Sequence, residues 1–285
     1  MIAERAVQHI SDTARWAAVF RARETERADA VFRDPFARRL AGERGEEIAK
    51  SFPFHEKNAW SWITRTYAFD GFIREQLQQG VDTVVNLAAG LDARPYRMDL
   101  PASLRWVEVD LPEILDYKET ILGSENPKCR LERVRLDLSQ DADRRNLFEG
   151  LGKTGRKALI ISEGLLTYLS EEQVAALAED LARVSSFQLW VFDIGSPGLL
   201  KMVQKNTHSQ FGENVARLKF APENGPDFFL AHGWKPLEVR SILKTAAKIK
   251  RLTLFMRLIS LLPENPARAG SRPWSGVCLM GRTKA

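Results

Sequence analysis

At 285 residues and 44% apolar, the chain is long enough to bury one large α/β core with attached pieces, and one domain is the expectation. The formal charge of +5 is a small surplus of 42 basic over 37 acidic side chains, mostly interleaved, so no nucleic-acid surface is indicated. Two cysteines, Cys129 and Cys278, lie far apart without CxxC spacing and suggest neither a disulfide framework nor a metal knot; reduced cytoplasmic thiols are expected. The opening MIAERAVQHISD lacks the apolar core of a secretory signal. The apolar run Leu252 to Leu262 is broken by Arg257 and is too short to span a bilayer, so a soluble chain without stable membrane insertion is expected.

In chain order, Ala14, Trp16, Ala17, Phe20 and Ala22 give the first helical segment an apolar face, and Asp34-Pro35 restarts a helix that ends near Gly42. These segments precede any strand and must pack on the core as a cap. A helix over Trp60 to Gln79 aligns Trp62, Phe69, Ile73 and Leu77, with Gly80 as its stop. Arg65 falls on that same stripe. An inward arginine needs an anionic partner, either a core carboxylate or the carboxylate of a ligand.

The stretch VDTVVNLAAGLDAR, Val81 to Arg94, starts as a strand buried on both faces and stops at Ala88-Ala89-Gly90, where bare backbone lets a ligand approach. Strands and helices alternate from there on, as in parallel βαβ units. The second strand, Leu104 to Asp110, ends twenty positions beyond Gly90, the spacing of a carboxylate that accepts ribose hydroxyls; Asp110 also suits the N-cap of the next helix. The third strand, Leu131 to Leu138, brings Asp137 and Leu138 to an adenine site or leaves Asp137 in a solvated loop, with Ser139 as an N-cap. The fourth, Ala158 to Ile161, is followed by Glu163, which faces the ligand or pairs with Arg94 or Arg97. Ser170 and Gln173 form a capping box, and Val174, Leu177, Leu181 and Val184 form a buried face.

The fifth strand, Phe187 to Asp193, breaks at Gly195-Ser196-Pro197-Gly198. Leu199 to Ala231, with His208, Phe211 and Phe220, lacks clean periodicity and is expected to be a lid. Leu237 to Val239 and Gly276 to Gly281 read as the last strands. Between them, Ile242 to Leu262 reads as one basic helix that carries Lys244, Lys248, Lys250 and Arg251, suited to an acidic partner or a membrane surface, or else simply solvated.

Neither GxGxxG nor GxxxxGK[ST] is present, so one glycine must serve a nucleoside with an amino-acid tail rather than a pyrophosphate. S-adenosylmethionine has that anatomy. The expected assignment takes ribose to Asp110, adenine to Asp137 and Leu138, and the methionine end to Gly90, Arg65 and Glu163. Oxygen acceptors divide by chemistry: a carboxylate needs no base, whereas a phenol or alcohol would use His208, His232 or Tyr168, although packing of its ring is the favoured role for Tyr168. No catalytic base is assigned, and no acidic cluster suggests magnesium.

The set FRDPFARRLAG, TRTYAFD, VVNLAAGLDARPYR, WVEVDLPEILDYK, LDL and SEGLLTYLSEEQV closely resembles the leucine carboxyl methyltransferase family, from about Thr13 to the final RPWSGVCLMGR. The resemblance implies a class I, Rossmann-like methyltransferase fold with a seven-stranded, mostly parallel sheet, and S-adenosylmethionine as donor. Carried over by position, it supports the same six residues and places Arg23 near a basic residue of the N-terminal helix. One methyltransferase domain over 1–285 follows, with a helical cap (1–60), cofactor-binding core (61–195), lid insertion (196–232) and closing strands around the basic helix (233–285). The expected reaction is methyl transfer to an oxygen of a small molecule or peptide carboxylate. The alternatives are an NAD(P)-dependent oxidoreductase, which should carry the missing glycine fingerprint, and a non-catalytic S-adenosylmethionine-binding protein. A nucleic-acid methyltransferase is disfavoured because SEGLLTYL is not an Asn/Asp-Pro-Pro-aromatic run.

Overall fold

The computed structural model describes residues 10–51, 57–207, 218–268 and 270–283 of the chain. Seven strands form one sheet, in the order β3-β2-β1-β4-β5-β7-β6. They are β1 (Thr83–Leu87), β2 (Arg105–Asp110), β3 (Arg130–Arg135), β4 (Ala158–Ser162), β5 (Phe187–Gly195), β6 (Trp234–Ser241) and β7 (Ser275–Arg282). The first five pair in parallel, and β7 runs antiparallel to both β5 and β6. Every residue of β1 and β4 is buried, as their unbroken apolar runs require of strands covered on both faces. Because β1 is flanked by β2 on one side and β4 on the other, chain connections leave it in opposite directions and open a crevice at its carboxyl end.

Helices α1 (Ile10–Thr25), α2 (Ala37–Ser51) and α3 (Ala59–Gln78) precede the sheet, followed by the short α4 (Arg94–Arg97) and α5 (Pro112–Leu122). Trp16, Val19 and Phe20 of α1 pack with Leu40 and Ile48 of α2 and with Leu115 of α5, which fixes the cap over the β1 crevice. Helix α2 breaks at Gly42, whose φ of 61° only glycine adopts readily, close to the expected helix end. Phe69, Phe72 and Ile73 of α3 pack on one face of the sheet, and Gly80 turns the chain at φ 87°. On the other face α6 (Asp141–Gly152) and α7 (Glu171–Ala182) bring in Phe148, Leu177 and Leu181. Both halves of the Ser170–Gln173 capping box are present at the start of α7.

Several expected boundaries move. Asp110 is not an N-cap: Leu111 caps α5 in an extended conformation, and Pro112 sets the first turn one residue later. Ser139 likewise yields its place to Gln140 before α6, and β3 stops at Arg135. The expected lid is partly regular structure. Helix α8 (Pro197–Thr207) opens it, and a 3₁₀ segment, Gly225–His232, buries Phe229 against Trp190 and Phe192 of β5. Phe220 is also buried, whereas His208 and Phe211 lie outside the described residues. The single basic helix expected over 242–262 is two short ones, α9 (Ile242–Lys248) and α10 (Leu254–Ser260). Lys250 at φ 58° turns the chain between them, and the Ser241 and Thr253 hydroxyls accept the backbone N–H groups that open each. Among the described residues no helix is long and apolar enough to cross a membrane.

Candidate functional site

The carboxyl ends of β1 to β5, together with α1, α3 and α8, enclose a cavity of about 1780 Å³. All six residues assigned from the sequence line it: Arg65, Gly90, Asp110, Asp137, Leu138 and Glu163.

After β1 the backbone passes through the left-handed region twice, at Ala88 (φ 51°) and Gly90 (φ 51°). At Gly90 a side chain would have room, with Ala14 Cβ at ordinary contact distance of 3.4 Å, so what favours glycine there is the left-handed backbone. The Gly90 N–H donates to Asp110 Oδ2 at 2.6 Å, and the Leu111 N–H donates to Asp110 Oδ1 at 2.8 Å. Asp110 therefore ties the β1 turn to the end of β2. Burial pushes its carboxyl above the ordinary value even though both N–H groups oppose the shift. Asp137 is exposed at the cavity edge, and its Oδ1 accepts the Ser139 N–H at 2.9 Å; that bond holds its carboxyl below the usual range. Leu138 beside it is partly buried against the core.

Arg65 on α3 meets core carboxylates rather than standing unpaired. Its Nε donates to Glu163 Oε1 at 3.1 Å and its Nη1 to Asp193 Oδ2 at 3.3 Å, with the guanidinium over the Trp62 ring. Gly164 allows the close approach, since a Cβ there would lie 3.3 Å from Arg65 Nη1. With its side chain 20% exposed on the cavity wall, Arg65 keeps guanidinium edge for a further acceptor. Glu163 continues the network: its Oε2 accepts from Arg94 Nη1 at 2.8 Å, which realises the ion pair anticipated for it without removing it from the cavity. Arg94 also donates to Asp70 at 2.6 Å and Asp92 at 2.9 Å, and Arg97 holds Asp70 at 2.7 Å.

A model of the leucine carboxyl methyltransferase family matches residues 14–182. The chain belongs to that family. Its relatives include a protein of Streptomyces avermitilis provisionally named an S-adenosyl-L-methionine-dependent methyltransferase, 30% identical over 88% of this chain and 89% of its own length. Another, of the same provisional name from a Parafrankia species, is 31% identical over 84% of this chain and 81% of its own length. Among solved structures, one from Thermobifida fusca provisionally named a methyltransferase superposes with a TM-score of 0.55 at 14% identity, over 92% of this chain and 96% of that one. The seven-stranded sheet is thus the class I methyltransferase fold, as expected.

The cavity wall also contains polar residues beyond the six assigned from the sequence. Asp193, at the end of β5, pairs with Arg65 and accepts the Gly164 N–H at 2.6 Å; burial pushes its carboxyl up against both. It meets the criterion that picked out Glu163, a charge at the end of a buried strand. Asn86, a polar residue inside an otherwise apolar strand, donates to Asp92 at 2.9 Å. Two other suggestions fall away. Arg23 pairs with Glu46 and does not line the cavity, and His232 faces Glu179 at 3.0 Å on the outside of α7.

Asp92 gives this network a pH signature. Burial raises its carboxyl, but Arg94, Lys118 and Arg97 outweigh burial and hold it at about 2. A folded value below the unfolded one of about 3.9 contributes stability above that pH, roughly 2 kcal/mol here, which is lost as pH falls toward the folded value. Asp92→Asn is therefore expected to be less stable than wild type at neutral pH in urea unfolding, with the two curves converging between about pH 4 and about pH 2.

Proposed function

We propose that this methyltransferase, with S-adenosylmethionine as its donor, places the methyl group on an oxygen of a small molecule or of a peptide carboxylate. Arg65, Gly90, Asp110, Asp137, Leu138 and Glu163 are proposed to hold the donor. The observation that carries the assignment is their convergence on one cavity from a helix and four strand ends. Charge supports it. In the network behind the cavity, Arg65, Arg94 and Arg97 face Asp70, Asp92, Glu163 and Asp193, three cations against four carboxylates. Among the described residues, carboxylates also outnumber basic side chains along the cavity wall, although the whole chain carries +5. Such a surplus suits a ligand with a sulfonium and an ammonium group.

When bound, the donor supplies a methyl group already activated by its sulfonium, so the chain's share of the work is positioning. Asp110, whose carboxyl oxygens each already accept one backbone N–H, has lone pairs left for ribose hydroxyls. Arg65 would take the donor's carboxylate, with Glu163 and Asp193 fixing the plane of its guanidinium. Asp137 and Leu138 would border the adenine. For the acceptor, burial pushes the Tyr168 hydroxyl up and keeps it protonated, which makes it a poor base. This favours an acceptor that is already ionised, a carboxylate.

The expected result with labelled donor and a panel of carboxylic acids and phenols is a methyl ester cleaved by mild base, with release of S-adenosylhomocysteine. Stable methyl ethers would overturn the carboxylate branch. Donor binding without turnover across the panel would point to a binding module instead, and binding of NAD in place of the donor would overturn the assignment altogether.

A further inference from the structure

Five of the seven large apolar side chains that stand exposed among the described residues fall in one nine-residue run: Leu254, Phe255, Leu258, Leu261 and Leu262, each 61 to 79% exposed. The run is α10 and the turn after it. Leu254, Leu258 and Leu261 share a stripe at i, i+4 and i+7, while Met256 and Ile259 face the other way and line the cavity. Helix α10 is thus a thin wall, apolar on both sides, between the cavity and the outside. An exposed apolar patch of this density marks a surface that meets something.

Charge indicates what it meets. Lys244 and Lys248 on α9 and Lys250 at the turn before α10 are exposed, and their ammonium groups make no ion pair among the described residues. Neighbouring Arg251, by contrast, is fixed to Glu24 at 2.7 Å and Asp29 at 3.0 Å, which pins the start of this segment to α1. The apolar run of α10 follows directly on the lysines of α9 and its turn, and the two short helices pack on each other, a combination that calls for an apolar layer with anions at its edge. A second copy of the chain would bring like charges together, whereas an anionic lipid surface neutralises them.

We propose that α10 and the turn after it seat this protein on an anionic bilayer, with Phe255 and the leucines entering the acyl boundary and Lys244, Lys248 and Lys250 meeting lipid phosphates. The cavity then has one wall against the membrane. This goes beyond the donor and acceptor assignments and does not depend on them.

The test is co-sedimentation of the full chain with vesicles of phosphatidylcholine and phosphatidylglycerol, compared with phosphatidylcholine alone. The expected result is association with the anionic vesicles, weakened at least about tenfold by Phe255→Ser/Leu258→Ser/Leu261→Ser, and by a similar factor by Lys244→Glu/Lys248→Glu/Lys250→Glu. Both variants change exposed side chains, and an unchanged thermal unfolding midpoint confirms that they are folded. No association with anionic vesicles, association insensitive to either set of substitutions, or a wild-type dimer that the serine variant disperses would each overturn the proposal. Failure here leaves donor binding untouched, so the two readings are tested separately.

Discussion

Replacing Arg94 with methionine is expected to remove about 3–5 kcal/mol of folding stability, a large part of the margin an ordinary domain has. Arg94 has only 2% of its side chain exposed and serves three carboxylates at once, Asp70, Asp92 and Glu163. Methionine fills much of the same space but leaves those carboxylates facing one another in a region that water barely reaches. Arg94→Lys keeps the charge yet cannot reproduce the guanidinium fork, so its loss should be smaller. Urea unfolding at neutral pH measures both. The deficit of Arg94→Met should narrow on acidification, because protonating the carboxylates removes the repulsion that the variant exposes, whereas the wild type at low pH loses the pairs themselves. A deficit of under about 1 kcal/mol at neutral pH would mean that packing, not charge, holds α4 against α3.

The contrast between Arg94 and the residues around it shows which parts of the site a sequence can disclose. The turn at Ala88-Ala89-Gly90, the carboxylate of Asp110 and the charge of Glu163 are legible because each stands at the end of a buried run, where a polar residue is out of keeping with its neighbours. The same contrast was available at Asp193 and at Asn86 inside β1. Partnership is another matter. Glu163 and Arg94 are 69 positions apart and Arg65 and Asp193 are 128 apart, so only the folded sheet reveals that Arg65 meets protein carboxylates on the cavity wall. Cap positions were ambiguous for a local reason. Asp110 has the right side chain to cap α5, but Pro112 delays the helix and frees the carboxylate to hold the Gly90 turn. The segment 242–262 is ambiguous for want of a break signal: it contains no glycine or proline, and the left-handed Lys250 that divides α9 from α10 has no glycine to announce it.

Asp110→Ala is expected to weaken S-adenosylmethionine binding by about 10- to 150-fold, the equivalent of about 1.5–3 kcal/mol for lost hydrogen bonds to a charged group. Two losses combine. The ribose hydroxyls would lose the acceptor proposed for them, and the Gly90 and Leu111 N–H groups lose theirs, which loosens the turn after β1. Asp110→Asn separates them, since the amide oxygen can still accept one backbone N–H while the charge is gone. Its affinity should fall between those of wild type and alanine. Burial holds the Asp110 carboxyl above the ordinary value, so wild-type affinity should drop as pH falls through that raised pKa, and the drop should be smaller in Asp110→Ala. Calorimetry on variants whose unfolding has been checked gives all three values. Arg65→Ala provides the independent arm, because it acts on the opposite end of the same ligand and leaves the β1 turn alone. If both alanine variants bind the donor as the wild type does, the cavity is not where the donor sits, however well its strand ends converge.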